Sequence, residues 1–370
     1  IVDKKTRDFN LSYFEYLGYV SFFPQLIAGP IVKSSKLVPQ LRSLKKTRKK
    51  EYLLNDVTTG LPLIVVGLLF KTFVSDVTQS FHMNIDLNKL LFLDAIFIIF
   101  SKSFIIYGDF FGYSTIAIGL GLLFGIQLPR NFLQPYMCSN IQQFWRCWHV
   151  TLGKWFLEYI FKPIINKISY TSSVIFVFLL TGIWHGYGFS FLLWGLLHGI
   201  SLVIFVKYFY TNKLSIIGTI LTFIWVSLLW VLFFYSLEEA ILIYSSLFNW
   251  DSFNGFHSNY FTLKKWIYLV FIFIVIFIFN DDFLYLNSRF EFEMNFKKEK
   301  LYLRLNKIKK VKDKYNYVSF SKNYLFLINF RNMISKFIIR FLQSPILIPL
   351  LLYLSVLFFS YSNTFIYFNF

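Results

Sequence analysis

The feature that most constrains this 370-residue chain is a series of long apolar stretches with few charges. A helix rises about 1.5 Å per residue, so roughly 20 apolar residues cross a hydrocarbon core about 30 Å thick. In lipid the backbone must satisfy its own hydrogen bonds, which favours helices. The predicted spans are 57–81, 90–107, 172–186, 190–206, 214–236, 265–280 and 344–362.

Composition excludes two other classes of protein. The sequence is 56% hydrophobic and 15% charged, whereas a soluble domain carries about a quarter charged residues. The net charge of +18 would suit nucleic acid, but the basic residues form blocks between apolar runs, where orientation signals belong. We therefore expect no nucleic-acid partner. Cys138 and Cys147 match no metal-site spacing, so we expect no metal.

The charged blocks predict the orientation of the spans. Lys33 to Lys50 holds eight basic residues and no acidic one, and the loop at about 281–343 is also rich in Lys and Arg. Both are expected to face the cytoplasm. The segment 237–263 has acidic residues but no Lys or Arg, so it is expected outside. Alternation of the spans then places 82–89 outside as well.

Two stretches are too broken to be plain spans. Residues 11–32 are interrupted by Glu15, Pro24, Gly29 and Pro30, so they either span or form a re-entrant segment. Residues 108–170 mix polar and apolar side chains, which predicts a region dipping into a cavity open to the cytoplasm.

We therefore predict one all-α, polytopic membrane domain over residues 1–370, with about 7–9 spans plus re-entrant or interfacial helices around a central cavity. The chain starts at Ile1 without a Met, and we expect a longer protein whose N-terminus is truncated here.

Three histidines lie among apolar neighbours: His149, His185 and His198. An ionisable group in a span is costly and marks a functional site by default, and a histidine can serve there as a general base. The alternative is a neutral histidine that donates one hydrogen bond to a helix carbonyl. His82 and His257 fall in predicted outside loops and are ordinary surface candidates.

The local sequence separates His185 from His198. Glycines at 182, 186 and 188 flank His185, and they let the backbone open and a substrate approach closely. His198 follows thirteen residues later, which is roughly 20 Å on one continuous helix. Unless the glycines fold the chain back, His198 therefore has a secondary or structural role in packing.

Aromatic and cationic residues surround His149. Arg146 and Lys154 suit the phosphates of a nucleotide-like donor, or they anchor the chain at the interface. Asp109 is a plausible partner for a nearby cation, and Lys71 with Asp76 is predicted to form a structural pair. The residues predicted to bind the donor or line its cavity are Arg146, Lys154, Trp145, Trp148, Trp184 and Asp109.

The residues alone leave three functions open. The sequence contains no phosphate-binding or dinucleotide-binding glycine loop and no serine nucleophile elbow. An enzyme with a histidine-bearing cavity, a proton-coupled transporter or flippase, and a scaffold without chemistry of its own all fit. Repeated halves with broken helices would favour the transporter, and we find none in the sequence.

Four stretches resemble the membrane-bound O-acyltransferase family, in its bacterial alginate O-acetyltransferase-like branch. They are SFFPQLIAGPI at 21–31, DFFGYSTIAIG at 109–119, RNFLQPY at 130–136 with FWRCWH at 144–149, and TGIWHG at 181–186 with WGLLHG at 194–199. Cys147 departs from the family pattern, where an Arg is common, and the segment after Lys162 and Pro163 lacks the usual glycine pair.

The resemblance implies a specific activity. Such enzymes move an acyl group, acetyl in this branch, from a cytoplasmic thioester such as acetyl-CoA to an acceptor outside, with no bound cofactor. The family's invariant histidine falls on His185 and its second polar position on His149. Acceptors are usually surface polysaccharide or peptidoglycan, and an extracytoplasmic esterase-like protein is a common partner. A multi-pass place in the bacterial cytoplasmic membrane, in contact with its lipid, follows.

Overall fold

The computed structural model describes residues 11–26, 29–44, 50–210, 215–249, 258–278, 333–334 and 347–357. All regular structure in these residues is helical, which confirms the all-α prediction for them. The α-helices are α1 Tyr13–Val20, α2 Ser34–Ser43, α3 Lys50–Leu69, α4 Val77–Ser80, α5 Phe92–Leu123, α6 Ile141–Cys147, α7 Val150–Phe156, α8 Lys162–Ile164, α9 Tyr170–His185, α10 Phe189–Ile204, α11 Ile216–Phe234, α12 Leu237–Ser246, α13 Leu263–Ile278 and α14 Leu347–Leu357.

Three π-helical segments and three short turns complete the chain path. The π-helical segments Phe70–Asp76, Leu157–Phe161 and Phe205–Phe209 continue α3, α7 and α10 without a break. The 3₁₀ turns are Phe23–Gln25, Leu87–Lys89 and Pro135–Met137.

Four helical stretches among the described residues are long and apolar enough to cross a membrane: Asp56–Ser80, Phe92–Leu123, Phe189–Phe209 and Ile216–Phe234. Three of them confirm predicted spans closely. The helix Tyr170–His185 is apolar but shorter. The total of seven to nine spans stays a prediction, and the basic loop at 281–343 lies outside the described residues apart from 333–334.

The prediction that a span ends at 107 is wrong, because α5 continues to Leu123. Its polar side chains do not interrupt the helix, since most are covered by neighbouring elements: Asp109, Ser114 and Thr115 are only 1–2% exposed. The apolar part of α5 is 89% buried within the protein. Residues 108–123 therefore belong to the central helix.

Helices α3 and α5 pack closely because glycines face each other across the contact. A Cβ atom added to Gly67 would lie 2.6 Å from the Gly112 carbonyl oxygen. A Cβ added to Gly60 would lie 2.9 Å from the carbonyl oxygen of Gly119. Small residues at such crossings let two backbones approach directly, as is common between membrane helices.

A buried ion network joins the same two elements. Lys71 Nζ lies 2.7 Å from Asp76 Oδ1 and 2.7 Å from Asp109 Oδ1, and all three side chains are 2–3% exposed. The predicted pair of Lys71 with Asp76 is confirmed, and Lys71 is the cation that Asp109 meets. In the π-helical turn, residues five apart lie on one face, which turns Lys71 and Asp76 toward each other.

The N-terminal stretch does not form a continuous span. Helix α1 has eight residues, about 12 Å, and is too short to cross a bilayer. Tyr13 and Phe14 are exposed. Arg42 donates hydrogen bonds from Nε and Nη2 to Glu15 at 2.6 and 2.9 Å. These bonds, with one from the Ser12 backbone, hold the pKa of Glu15 at about 2.

The α3–α5 contact can be tested by adding one methyl group. We expect Gly67→Ala to destabilise the protein by about 1–3 kcal/mol, because the new Cβ meets backbone that must shift. Gly18→Ala is the matched control, since its Cβ meets only Leu41 Cδ1 at 3.8 Å. Thermal unfolding in lipid nanodiscs measures both, and equal melting temperatures for the two variants would contradict this packing.

Candidate functional site

His149 occupies a strained turn between α6 and α7. Its φ of 40° and ψ of 55° lie in the left-handed region, which a residue other than glycine enters at a cost of about 1–3 kcal/mol. The side chain is 6% exposed, and its ring meets the Phe110 ring of α5 edge-on at 4.5 Å. Surrounding contacts must therefore hold this turn.

A buried polar network supplies those contacts. The Val150 N–H donates to the Asn131 carbonyl at 2.8 Å, and the Thr151 hydroxyl donates to Asn131 Oδ1 at 2.6 Å. Asn131 Nδ2 donates in turn to Ser114 Oγ of α5 at 3.0 Å. The Ile31 N–H donates to Thr151 Oγ1 at 3.1 Å. The network joins the residues after His149 to the central helix and to the N-terminal region.

His185 ends α9, and the chain then reverses over residues 186–188 to enter α10. Glycines let the two helices touch: a Cβ on Gly182 would lie 2.4 Å from the Phe191 carbonyl oxygen. A Cβ on Gly195 would lie 2.3 Å from that of Phe178. Of the two possibilities given for this segment, the glycines fold the chain back, and His185 and His198 lie on separate helices.

The reversal brings both histidines to one tryptophan. The ring centre of His185 lies 5.3 Å from that of Trp194, and the ring centre of His198 lies 5.0 Å from the same indole. Trp194 is 1% exposed and His198 is fully buried. His198 therefore borders the His185 environment through Trp194.

His149 and His185 border one buried aromatic cluster although 36 residues separate them in sequence. A continuous series of ring contacts joins them: His149 packs on Phe110, and His185 packs on Trp194. The rings between these two are Phe132, Trp148 and Trp230. His185 also packs 4.9 Å from the Phe233 ring, and Trp148 packs 4.8 Å from Trp230. His149 Nδ1 is buried and has no hydrogen-bond partner in the part of the chain that the structure describes. Two imidazoles in such a dry aromatic environment can divide proton transfer and hydrogen bonding between them.

The predicted lining residues fall into three groups. Trp145 lies 4.8 Å from His198, and Trp148 is 4% exposed within the aromatic cluster. Arg146 and Lys154 are exposed, and the Trp184 side chain is 52% exposed although its ring lies 4.7 Å from His185. Asp109 belongs to the ion network with Lys71 and Asp76.

Sequence reasoning missed several residues that shape the site: Trp194 and Phe233, which contact His185, and Asn131 and Thr151, which support His149. The sequence offered one sign of the buried role of Asn131, namely that this polar residue lies in an apolar stretch. His82 was predicted to be an ordinary surface residue, but its Nε2 lies 2.8 Å from Ser101 Oγ and its Nδ1 is buried.

A cavity of about 460 Å³ lies elsewhere, between α5, α11 and α13. Its walls are apolar, with Phe100, Phe223 and Phe273 among the lining residues, and none of the three histidines lines it. Among the described residues, no group of three or more His, Cys, Asp or Glu side chains is arranged to hold a metal ion.

Comparison with known proteins gives consistent matches. The sequence model of the membrane-bound O-acyltransferase family matches residues 2–246. A peptidoglycan O-acetyltransferase from Helicobacter pylori is 39% identical over 258 residues, which is 66% of this chain and 48% of the relative. A probable alginate O-acetylase AlgI from Pseudomonas syringae is 29% identical over 248 residues, covering 64% of this chain and 46% of the relative.

A third relative acts on a different polymer. A teichoic acid D-alanyltransferase from Bacillus subtilis is 29% identical over 212 residues, which is 53% of this chain and 52% of the relative. The chain spans about half the length of the curated relatives it matches.

The network that holds the His149 turn can be tested with two substitutions at one position. Thr151→Val leaves Asn131 Oδ1 and the Ile31 N–H without this partner, which costs about 1–3 kcal/mol for each buried group. Thr151→Ser keeps the hydroxyl and is the matched control. Thermal unfolding followed by tryptophan fluorescence measures both variants. A Val variant as stable as the Ser variant would show that the network does not hold the turn.

Proposed function

The chain belongs to the membrane-bound O-acyltransferase family, and we propose that it transfers an acyl group, acetyl in this branch, from a cytoplasmic thioester to a hydroxyl of an extracytoplasmic polymer. The observation that carries the proposal is that His149 and His185 border one buried aromatic cluster. His149 packs on Phe110 of the central helix, and His185 packs on Trp194 of the α9–α10 hairpin.

His185 is the general base of the proposed reaction. Its imidazole accepts the proton of the acceptor hydroxyl as that oxygen attacks the thioester carbonyl carbon. The tetrahedral intermediate then collapses, the carbon–sulfur bond breaks, and the departing thiolate takes the proton from His185. The products are an ester and a free thiol, and the histidine returns to its starting state. A base of this kind contributes roughly 10²–10⁴-fold to the rate.

His149 stabilises the oxyanion in this proposal. A buried imidazole N–H aimed at the carbonyl oxygen strengthens its hydrogen bond as negative charge develops there. The left-handed turn and its polar network support this role, because they fix the ring against Phe110 and limit its reorganisation.

In this proposal the acyl donor enters from the predicted cytoplasmic face, where basic residues are exposed. Arg146 and Lys154 are exposed on the segment that the loop charges predict to be cytoplasmic, and they suit the phosphates of acetyl-CoA. Trp145, the residue before Arg146, packs 4.8 Å from His198, and Trp148 packs 4.8 Å from Trp230. Trp184 and Asp109 complete the proposed donor region through their contacts with His185 and Lys71, respectively.

The acceptor is a cell-envelope polymer in this proposal. The relatives named above act on peptidoglycan, alginate or teichoic acid by their names. We assign this chain to the bacterial cytoplasmic membrane as a multi-pass protein, with an extracytoplasmic esterase-like protein as its partner in transfer.

The assignment of the base is tested by label transfer. Membranes that carry the parent protein, His185→Ala or His149→Ala at matched levels receive acetyl-CoA labelled in the acetyl group, and label is counted in polymer, protein and free acetate. We expect His185→Ala to lower transfer by about 10²–10⁴-fold and His149→Ala by about 10²–10³-fold.

His198→Ala is the internal comparison, because His198 contacts the same tryptophan without a proposed chemical step. We expect it to keep measurable transfer once its expression level is matched. Full activity of His185→Ala together with loss in His198→Ala would assign the base to the other histidine. Absence of His185-dependent transfer, with proton-gradient-dependent uptake instead, would favour a transporter.

A further inference from the structure

The apolar cavity between α5, α11 and α13 has no part in the proposed mechanism. Its volume is about 460 Å³, within the range of about 300–1,000 Å³ that is usual for ligand pockets. Phe104, Leu269 and Tyr136 line it and are only 2–8% exposed. The hydroxyl groups of Tyr136 and Thr219, both in the lining, already donate to backbone carbonyl oxygens. The cavity therefore suits an apolar ligand.

The cavity lies at membrane depth and is elongated along its helices. Two of its walls, α5 and α11, are long and apolar enough to cross a membrane. The lining residues of α13 run from Trp266 to Phe277, a distance of roughly 16 Å on a helix. Half of the hydrocarbon core is about 15 Å thick. The lining along α13 therefore has the length of one acyl chain in one leaflet.

The cavity opens onto the outer surface of α11 and α13. Ile220 and Ile224 of α11, and Val270 and Phe273 of α13, line the cavity and are also 38–55% exposed. Phe271, beside them on α13, is 56% exposed. Exposed apolar side chains on helices at this depth face lipid chains. The opening is therefore continuous with the lipid-facing surface of the protein.

A void of this kind fills from the bilayer. Lipid chains are as apolar as the cavity walls, so their entry brings no hydrophobic gain. An empty void nevertheless loses the van der Waals contacts of the side chains that line it. Water does not replace those contacts, because an ordered water needs several polar partners. A hydrocarbon chain that lies beside the opening supplies them.

Tyr136 connects the cavity with the aromatic cluster of the candidate site. Its ring centre lies 5.1 Å from that of Phe223, which also lines the cavity, and 6.0 Å from that of Trp148. Trp148 belongs to the series of rings that joins His149 to His185. A chain in the cavity would therefore pack against a ring at the edge of the candidate site.

We propose that this cavity binds one acyl chain of a membrane phospholipid, which completes the packing of α5, α11 and α13 beside Tyr136. The chain is a bound structural ligand and not a substrate, since His149, His185 and His198 all lie outside the cavity lining. The inference does not depend on the proposed acyl transfer.

Photolabelling from the lipid chain tests the proposal. The protein is placed in nanodiscs of phosphatidylcholine, a small part of which carries a diazirine in the middle of one acyl chain. Light expels dinitrogen from the diazirine, and the carbene inserts into a bond of a residue that it touches, which peptide mass spectrometry locates. Lipid on the outer surface labels exposed side chains such as Phe271. We expect label also on Phe104 and Tyr136, which only a chain inside the cavity reaches.

Ile276→Trp is designed to fill the cavity, because Ile276 lines it and is half-buried. We expect label on Phe104 and Tyr136 to fall at least about fivefold, because close packing leaves no room for both the indole and the chain. Label on Phe271 should not change. Ile274→Trp is the matched control, since Ile274 is also in α13 but is 46% exposed and lies outside the cavity lining.

Two results would overturn the proposal. One is label on Phe271 without label on Phe104 and Tyr136 in the parent protein, which is expected if another protein segment or a second copy fills the cavity. The other is unchanged label on Phe104 and Tyr136 in Ile276→Trp. The labelling pattern of the parent decides even where Ile276→Trp fails to insert.

The two proposals fail separately, since photolabelling requires no turnover, and His185→Ala should show the labelling pattern of the parent. Label inside the cavity without any His185-dependent acetyl transfer would support the lipid site and contradict the acyltransferase mechanism. Transfer without label on Phe104 and Tyr136 would contradict the lipid site alone.

Discussion

The burial of helix α5 is the constraint on which the rest of the structure depends. A 32-residue helix that is buried over most of its apolar length must be matched on every side by other elements. Glycines in α3 allow one close contact, and the Lys71 network neutralises charge within it. The same helix contacts His149 through Phe110, and Ser114 anchors Asn131. The candidate site is thus built against the most buried part of the protein.

Two kinds of backbone feature place His149 and His185 at the aromatic cluster. On one side, a non-glycine residue adopts a left-handed turn that a network of buried hydrogen bonds stabilises. On the other side, a hairpin of α9 and α10 closes because glycines at 182 and 195 face carbonyl oxygens of the opposite helix. The first feature stores strain and the second removes steric conflict. Both fix side chains whose chemistry requires a defined position.

Two buried ionisable side chains of helix α5, Asp109 and Lys102, differ in their surroundings. Asp109 is matched by Lys71, which serves the packing of α3 on α5. Lys102, about two helical turns away, has only neutral and aromatic partners. A compensated charge is consistent with a structural role, whereas burial without a counter-charge disfavours the charged form of an amine. Sequence shows the same residue type in both places, and only the surroundings distinguish them.

The sequence by itself determined the membrane class, the position of the main apolar helices and the order of motifs that identifies the family. Such features are local: apolar length and residue order can be read along the chain, and Lys71 and Asp76 are five residues apart. The glycines around His185 likewise marked a place where the backbone changes direction.

Only the tertiary structure decided the length of α5, the position of His149 and His185 at one aromatic cluster, and the shared contact of His185 and His198 with Trp194. Polar residues after 107 resembled a break because their partners come from distant segments. The left-handed turn at His149 and the supporting role of Asn131 likewise have no periodic signal. These outcomes depend on how helices pack against one another, which is set by contacts between residues far apart in sequence.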